Sequence, residues 1–333
     1  MLAPDALRRA IREMKSLTSQ PFAVNLFCRM QPPPTQEQLD QTYPSDQLLA
    51  AVRSKLGLHA PEKVTLRSPP LQDQVQVILE EGVPVVSFTF GYLPDEMVRS
   101  LKAKGIYLMG TATTVAEALV LAGDSPEERK VDCVIAQGLE AGGHRGSFLP
   151  TTTTDPQGDL HQRQQPALAL AQSLRQALQH RKDIAIVAAG GISNGQDAAR
   201  YLVDQPPVAD GVVMGTLFML SSASSTPPAH REALLNDTQH TQLSNRMTGR
   251  FARGIPNALM KTMEEADTVP SYDIHSAKTK DIVTYATEHS NADYMLLLTG
   301  ERHLEAAKYT ERGTMSPGDI VNKLVKDITA LQA

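Results

Sequence analysis

Six short apolar runs, spaced by helical patterns and glycine turns, constrain this chain more than any other feature. They are PFAVNLF (21–27), VPVVSFTF (83–90), GIYLM (105–109), VDCVIA (131–136), IAIVAA (184–189) and ADGVVM (209–214). Their apolar residues are continuous, the pattern of strands buried on both faces of a parallel sheet. Helical patterns lie between them at 71–82, 114–124, 167–180 and 193–204. Thr114 and Glu117 have capping-box spacing, and Ser193 or Asn194 opens the fourth helix. Strand, helix, strand, helix predicts an α/β protein with right-handed crossovers.

The rest of the chain divides around this rhythm. An amphipathic helix with charges of both signs occupies the N-terminus, MLAPDALRRAIREMK, and it is not a signal peptide. The connection 30–70 is proline-rich, with Pro32-Pro33-Pro34 and Pro69-Pro70, and holds one helix near 45–57. The stretch 149–165 has turn composition and reads as a loop or lid. After Phe218 the strand rhythm stops. Residues 219–275 are polar and helical without obvious strands, which predicts a small helical cap inserted into a main domain of residues 1–218 and 276–333. The last helix starts with Ser316 as N-cap and Pro317 at its first position.

Bulk properties exclude several classes. The 333 residues suit one large domain with a small insertion. A net charge of −5 argues against nucleic-acid binding, which needs clustered Lys and Arg. No apolar run reaches the roughly 18 residues that span a bilayer. The two cysteines, Cys28 and Cys133, read as buried reduced thiols, which places the protein in the cytoplasm.

Chemistry is expected where the predicted strands end, because ligands of α/β barrels and open α/β sheets bind there. Three turns qualify. QGLEAGGHRGSF (137–148) is almost without side-chain bulk and carries His144 between Gly143 and Arg145. VAAGGISNGQ (187–196) presents Gly190-Gly191 shortly before a helix, a turn suited to binding an anion through backbone N–H groups. VVMGTLF (212–218) places Gly215 and Thr216 just past the next strand. Two adjacent bare turns point to a shared phosphate site. A lone GG also serves tight turns and close packing, and a lone His is more often structural, so it is the succession of the three that carries the reading. Glu140 reads as a local hydrogen-bonding partner, and Arg145 as a partner for an acidic group on the loop. His161, His180, His230 and His240 sit in polar contexts and read as solvated. No Ser-His-Asp arrangement with a nucleophile elbow, no HExxH and no CxxC pair is seen.

QGLEAGGHRGSF, AAGGIS and MGTLF, in this order, resemble the nitronate monooxygenase family, formerly the 2-nitropropane dioxygenases; FAVNLF, VPVVSFTFG and GRFARGIPN (249–257) are similar to it as well. The resemblance runs over about residues 3–260 and is looser at MLLLTGERH (295–303). It implies a TIM-barrel-like fold with non-covalent FMN and a helical cap. Gly190, Gly191, Gly215 and Thr216 would hold the FMN phosphate, and Met214 would be a further cofactor-binding residue. Gln137 would bond the ring edge, Asn25 and Gly142 would line the flavin, and His144 would stand over its face beside the substrate. The implied reaction is oxidation of an alkyl nitronate such as propionate 3-nitronate by O₂ to a carbonyl compound and nitrite. With neutral nitroalkanes, His144 would remove the α-proton, for which an ordinary imidazole pKa of about 6.5 is suited.

The family's chain normally starts with two further strands, whereas Met1-Leu2-Ala3-Pro4 already matches the helix after the second. The expectation is a barrel incomplete at the N-terminus or an open six-stranded sheet. The alternatives are an FMN-dependent NAD(P)H enoyl-acyl-carrier-protein or quinone reductase, which share the EAGGH turn, or a truncated homologue without catalysis.

Overall fold

The computed structural model describes residues 2–66, 68–150, 156–236, 238 and 240–332. Its strands are β1 (Ala23–Phe27), β2 (Val85–Thr89), β3 (Tyr107–Ala112), β4 (Cys133–Gln137), β5 (Gly143–His144), β6 (Ala185–Ala189), β7 (Gly211–Val213), β8 (Gln242–Ser244) and β9 (Ala252–Gly254). Six of them form a curled, wholly parallel sheet in the order β1-β2-β3-β4-β6-β7, half of a barrel. Each step goes to the next strand in the same direction, in registers such as Leu26 with Phe88 and Ala136 with Ala188. All six are the runs read from the sequence.

Helices Leu71–Glu81, Asp95–Ala103, Val115–Ala122, Ala167–Ala177 and Gly195–Leu202 alternate with these strands. Their apolar faces, including Ile78, Leu101, Leu121, Leu170 and Leu174, pack on Leu26, Val86, Phe88, Leu108, Val134 and Ile186 in one core. Gly110 sits where a helix meets the sheet: a Cβ there would lie 2.7 Å from Val131 and 2.9 Å from Leu121. The N-terminal helix Pro4–Leu17 packs on Leu71–Glu81 through Leu7 and Ile11, with Arg8 bonded to Glu80 at 2.6 Å and Glu81 at 2.9 Å.

The strands are not buried on both faces. Burial alternates along them although hydrophobicity does not. In β2, Val86 and Phe88 are inaccessible while Val85, Ser87 and Thr89 are half-buried; in β1, Leu26 is buried and Asn25 exposed. Tyr107 and Val213 remain 40% and 44% exposed. The convex face is covered by helices, and the concave face lines a cavity.

Capping differs in detail from the sequence reading. Thr114 does accept from Glu117 N at 3.2 Å, but the Glu117 carboxylate does not return to Thr114. It is buried and accepts from Thr113 N and Oγ1, both at 2.7 Å, and from Phe148 N and Leu149 N at 2.7 and 3.2 Å. The loop after His144 is thereby tied to the helix Val115–Ala122. Asn194 caps Gly195–Leu202, and Ser316 caps Pro317–Ala330.

Residues 219–275 contain helices Pro228–Leu235 and Ala258–Glu264 and the start of Tyr272–Lys278, and also β8 and β9, which the sequence reading left out. Strands of three residues are too short for periodicity to reveal. They form an antiparallel sheet with β5, pairing His144 with Ala252. Ala229, Leu234 and Ile255 share a core with Leu217, Met295 and Leu324. Part of the expected lid, 151–155, lies outside the described residues; Pro156–Arg163 is helical.

Candidate functional site

A cavity of about 570 Å³ occupies the concave face of the sheet at the C-terminal ends of its strands. Asn25, Gln137, Gly142, His144, Gly190, Gly191, Gly215 and Thr216 all line it. Met214 does not: it follows β7 as N-cap of the short helix Gly215–Met219, and its side chain packs against the apolar cores.

One end of the cavity is built of backbone. Gly190 and Gly191 have φ of +124° and +66°, conformations side chains rarely adopt, so the turn after β6 requires glycine. A Cβ at Gly215 would meet nothing within 4 Å, so that glycine is not explained by packing and its bare backbone faces open space. Thr216 Oγ1 accepts from Gly300 N at 2.9 Å and lies 3.2 Å from Thr299 Oγ1. Gly142 is a packing glycine instead; a Cβ would lie 2.3 Å from Gly300 N. Among the described residues that line the cavity, none is Asp or Glu, and Arg302 is the one Lys or Arg. Its guanidinium is held by Asp197 at 2.5 Å, and that carboxylate also accepts from Ser193 N and Oγ at 3.0 and 2.7 Å. Bare amides and hydroxyls are donors that hold a phosphate; the Arg302 guanidinium beside them is paired with Asp197.

The other end is aromatic. His144 stands on β5 with its ring centroid 5.2 Å from Tyr272 and 6.0 Å from Phe90; Phe90 in turn lies 4.7 Å from Phe27. His144 Nε2 is 2.9 Å from the Thr248 hydroxyl. Gln137 spends both ends of its amide on the same loop, Nε2 donating to His144 O at 3.0 Å and Oε1 accepting from Gly146 N at 2.8 Å. Asn25 Oδ1 accepts from Ser87 Oγ at 3.0 Å on the open face.

Arg145 does not pair with an acidic group. It is fully buried and donates to Gln137 O, Gly138 O and Gln164 Oε1 at 2.8, 2.7 and 2.9 Å, fastening the His144 turn to the end of β4. Burial pushes its pKa down to about 10, which leaves it charged at neutral pH. Glu140 is a local partner as expected, accepting from Ala167 N at 2.9 Å. His230 is buried, not solvated: it bonds Leu298 O at 3.1 Å and burial lowers its pKa. His161, His180 and His240 are exposed. Both cysteines are free and buried, their thiols pushed up to about 12 by desolvation.

Sequence reasoning missed Phe27, Phe90, Thr248, Tyr272 and Arg302. All but Phe27 and Phe90 come from segments far along the chain, and the left-handed backbone of Phe90 (φ +72°) has no signature in a one-letter code. Among the described residues no helix is long and apolar enough to cross a membrane, and no metal-ligating cluster is found.

The half-barrel of parallel strands, with bare turns and a cavity at its strand ends, defines a TIM-barrel-like α/β enzyme. The sequence profile of the nitronate monooxygenase family matches residues 1–327, and the chain belongs to that family of oxidoreductases. It is 34% identical over 317 residues to the nitronate monooxygenase of Pseudomonas aeruginosa, covering 90% of this chain and 82% of that one. It is 32% identical to a probable nitronate monooxygenase of Staphylococcus haemolyticus, over 89% of this chain and 77% of the relative. The crystal structure of nitroalkane oxidase from Streptomyces ansochromogenes superposes with a TM-score of 0.81 at 28% identity, over 98% and 86% of the two chains. A mutant of FabK from Thermotoga maritima shares the fold with a TM-score of 0.65 at 22% identity, over 99% and 82%.

Proposed function

We propose that this protein binds FMN in the 570 Å³ cavity and oxidises alkyl nitronates with O₂ to a carbonyl compound and nitrite. The observation that carries the reading is the two-ended cavity: glycine turns at one end, His144 at the other, and no carboxylate among the described residues of its lining. In this reading Gly190, Gly191, Gly215 and Thr216 receive the phosphate. Gln137, Asn25 and Gly142 border the ring, and residues 219–275 act as the cap. Bound FMN would supply the electron acceptor, chemistry that side chains lack.

The chain's own residues have distinct tasks. His144 donates a hydrogen bond to the nitronate oxygens or, with a neutral nitroalkane, takes the α-proton. Phe27, Phe90 and Tyr272 keep water from the reacting end. The Arg145 and Gln137 hydrogen bonds hold the loop that carries His144.

The test is the visible spectrum of the purified protein, heat release of its chromophore, and an oxygen-consumption assay with nitronates. Flavin bands with FMN in the supernatant and nitrite formation are expected. A colourless protein that takes up no FMN would overturn the cofactor assignment. Rapid flavin reduction by NADH, without nitronate turnover, would replace the reaction with that of an NAD(P)H-dependent reductase.

A further inference from the structure

The His144 imidazole is seated against two side chains from separate segments. Thr248, whose hydroxyl is 2.9 Å from Nε2, sits in the turn between β8 and β9. Tyr272, with its ring centroid 5.2 Å away, opens the helix Tyr272–Lys278. Neither segment belongs to the parallel sheet that carries the cavity. How the ring is seated therefore depends on how these two segments are held to each other.

His275 joins them. It lies three positions after Tyr272, so the two side chains are neighbours on one side of the helix. Its Nε2 is 2.8 Å from the carbonyl oxygen of Arg246, and since a carbonyl only accepts, this nitrogen carries the proton. Arg246 belongs to the turn that presents Thr248, a turn closed by Gly249 N donating to Asn245 O at 2.8 Å. The two backbones also touch. Gly249 has φ +79°, and a Cβ on it would lie 2.8 Å from the Ser271 carbonyl carbon. Beyond this contact the helix is anchored to the segment after β1, where Asp273 accepts from Arg29 at 2.8 and 3.1 Å.

Stability alone does not account for an imidazole at this position. His275 is fully buried, and among the described residues its Nδ1 has no partner. Leaving a buried polar atom unsatisfied costs about 1–3 kcal/mol, which an apolar side chain avoids. What the imidazole supplies, and a leucine does not, is a donor for Arg246 O.

We propose that His275 is a positioning residue for the reaction: its bond to Arg246 O locks the Thr248 turn against the Tyr272 helix and so fixes the seat of His144. The effect on turnover rests on the nitronate reading above; the lock itself does not. Without the bond, the turn and the helix separate, and His144 loses its alignment with the substrate while the glycine turns at the other end of the cavity are untouched.

The experiment measures kcat per bound FMN with ethyl nitronate in the wild type, His275→Leu, His275→Gln, Thr248→Val and the double variant His275→Leu/Thr248→Val. NMR of each protein as purified follows the His144 ring resonances, assigned by their loss in His144→Asn. His275→Leu is expected to lower kcat about tenfold at unchanged FMN content, the scale of a misaligned catalytic group, and to shift the His144 resonances. His275→Gln, whose amide nitrogen is as many bonds from the backbone as Nε2, should restore most of both. Because the lock acts through Thr248, the double variant should lose about tenfold, close to Thr248→Val alone, and not the roughly hundredfold of two independent losses. Wild-type kcat in His275→Leu, losses that multiply in the double variant, or a glutamine variant no better than leucine overturns the proposal and leaves the nitronate reading intact. If His275→Leu does not fold, His275→Asn, one bond too short for Arg246 O, decides by the same readouts. A wild type inert to nitronates, with His144 resonances that move in His275→Leu and return in His275→Gln, overturns the reaction and keeps the lock; resonances that stay in place overturn the lock.

Discussion

His144 Nε2 lies 2.9 Å from the hydroxyl of Thr248, and that hydroxyl donates its own proton to the carbonyl of Arg250 at 3.1 Å. Through this chain of contacts the β8–β9 segment sets the tilt of a ring that belongs to β5. Thr248→Val keeps the shape of this buried residue and removes the partner of Nε2. The expected result is a fall in turnover of about tenfold, a loss of about 1 kcal/mol in stability and full FMN content. Turnover equal to wild type would show that Thr248 does not orient His144. His144→Asn should lose turnover further and also keep its flavin.

Two glycines of the site should respond in opposite ways. Gly215→Ala adds a methyl into open space, so the flavin-free protein should keep its Tm while FMN affinity falls. Gly142→Ala drives a Cβ to within 2.3 Å of the Gly300 backbone and should lower Tm even without cofactor. Flavin titration and thermal melts of both apoproteins separate a ligand-facing glycine from a packing one. Unchanged FMN affinity in Gly215→Ala would remove that turn from the phosphate site.

Arg145→Leu should destabilise the protein by at least about 3 kcal/mol, because two backbone carbonyls and the Gln164 amide oxygen lose their donor in a dry interior. Denaturant unfolding measures this. A loss within about 0.5 kcal/mol, the range of surface substitutions, would mean that the loop holds itself.

Acid should weaken the fold through a buried imidazole. His275 Nε2 donates to Arg246 O at 2.8 Å, its Nδ1 has no partner, and burial lowers its pKa to about 4. The unfolded chain takes up this proton near pH 6.5, the folded one only near pH 4. The stability contribution is therefore complete above about pH 6.5 and is lost as pH falls from there toward 4, by up to about 3 kcal/mol. His230 and His303, whose pKa values burial also lowers, act in the same sense. In His275→Gln the slope of stability against pH over this window should flatten; an unaltered slope would assign the acid sensitivity elsewhere.

Cys28 and Cys133 should react slowly with a thiol reagent at pH 8 and rapidly in denaturant, since both are buried with thiols raised to about 12. Fast labelling of the native protein would show that the sheet opens around them.

All six strands of the main sheet and the three glycine turns were legible in the chain, because their signals are local. A run of four to six apolar residues can satisfy its backbone only in a strand or helix, and a glycine pair after it marks a turn that side chains cannot make. The AGGHRG turn located His144 for the same reason. The sequence could not tell which sheet face is covered, since VVSFT reads as continuous while its burial alternates. Arg145 looked like a loop cation and is a buried fastener of carbonyls. His230 looked solvated and is inside.

What the sequence alone determined was the order of elements, the family and the bare turns where a ligand is received. What only the tertiary structure decided was the company His144 keeps: Thr248 and Tyr272 from beyond residue 240, and Phe90 in its left-handed backbone. Propensity and periodicity act between residues a few positions apart. The contacts of His144 with Phe90, Thr248 and Tyr272 join residues far apart in the chain and exist only once the parallel sheet has curled and β9 has paired with β5.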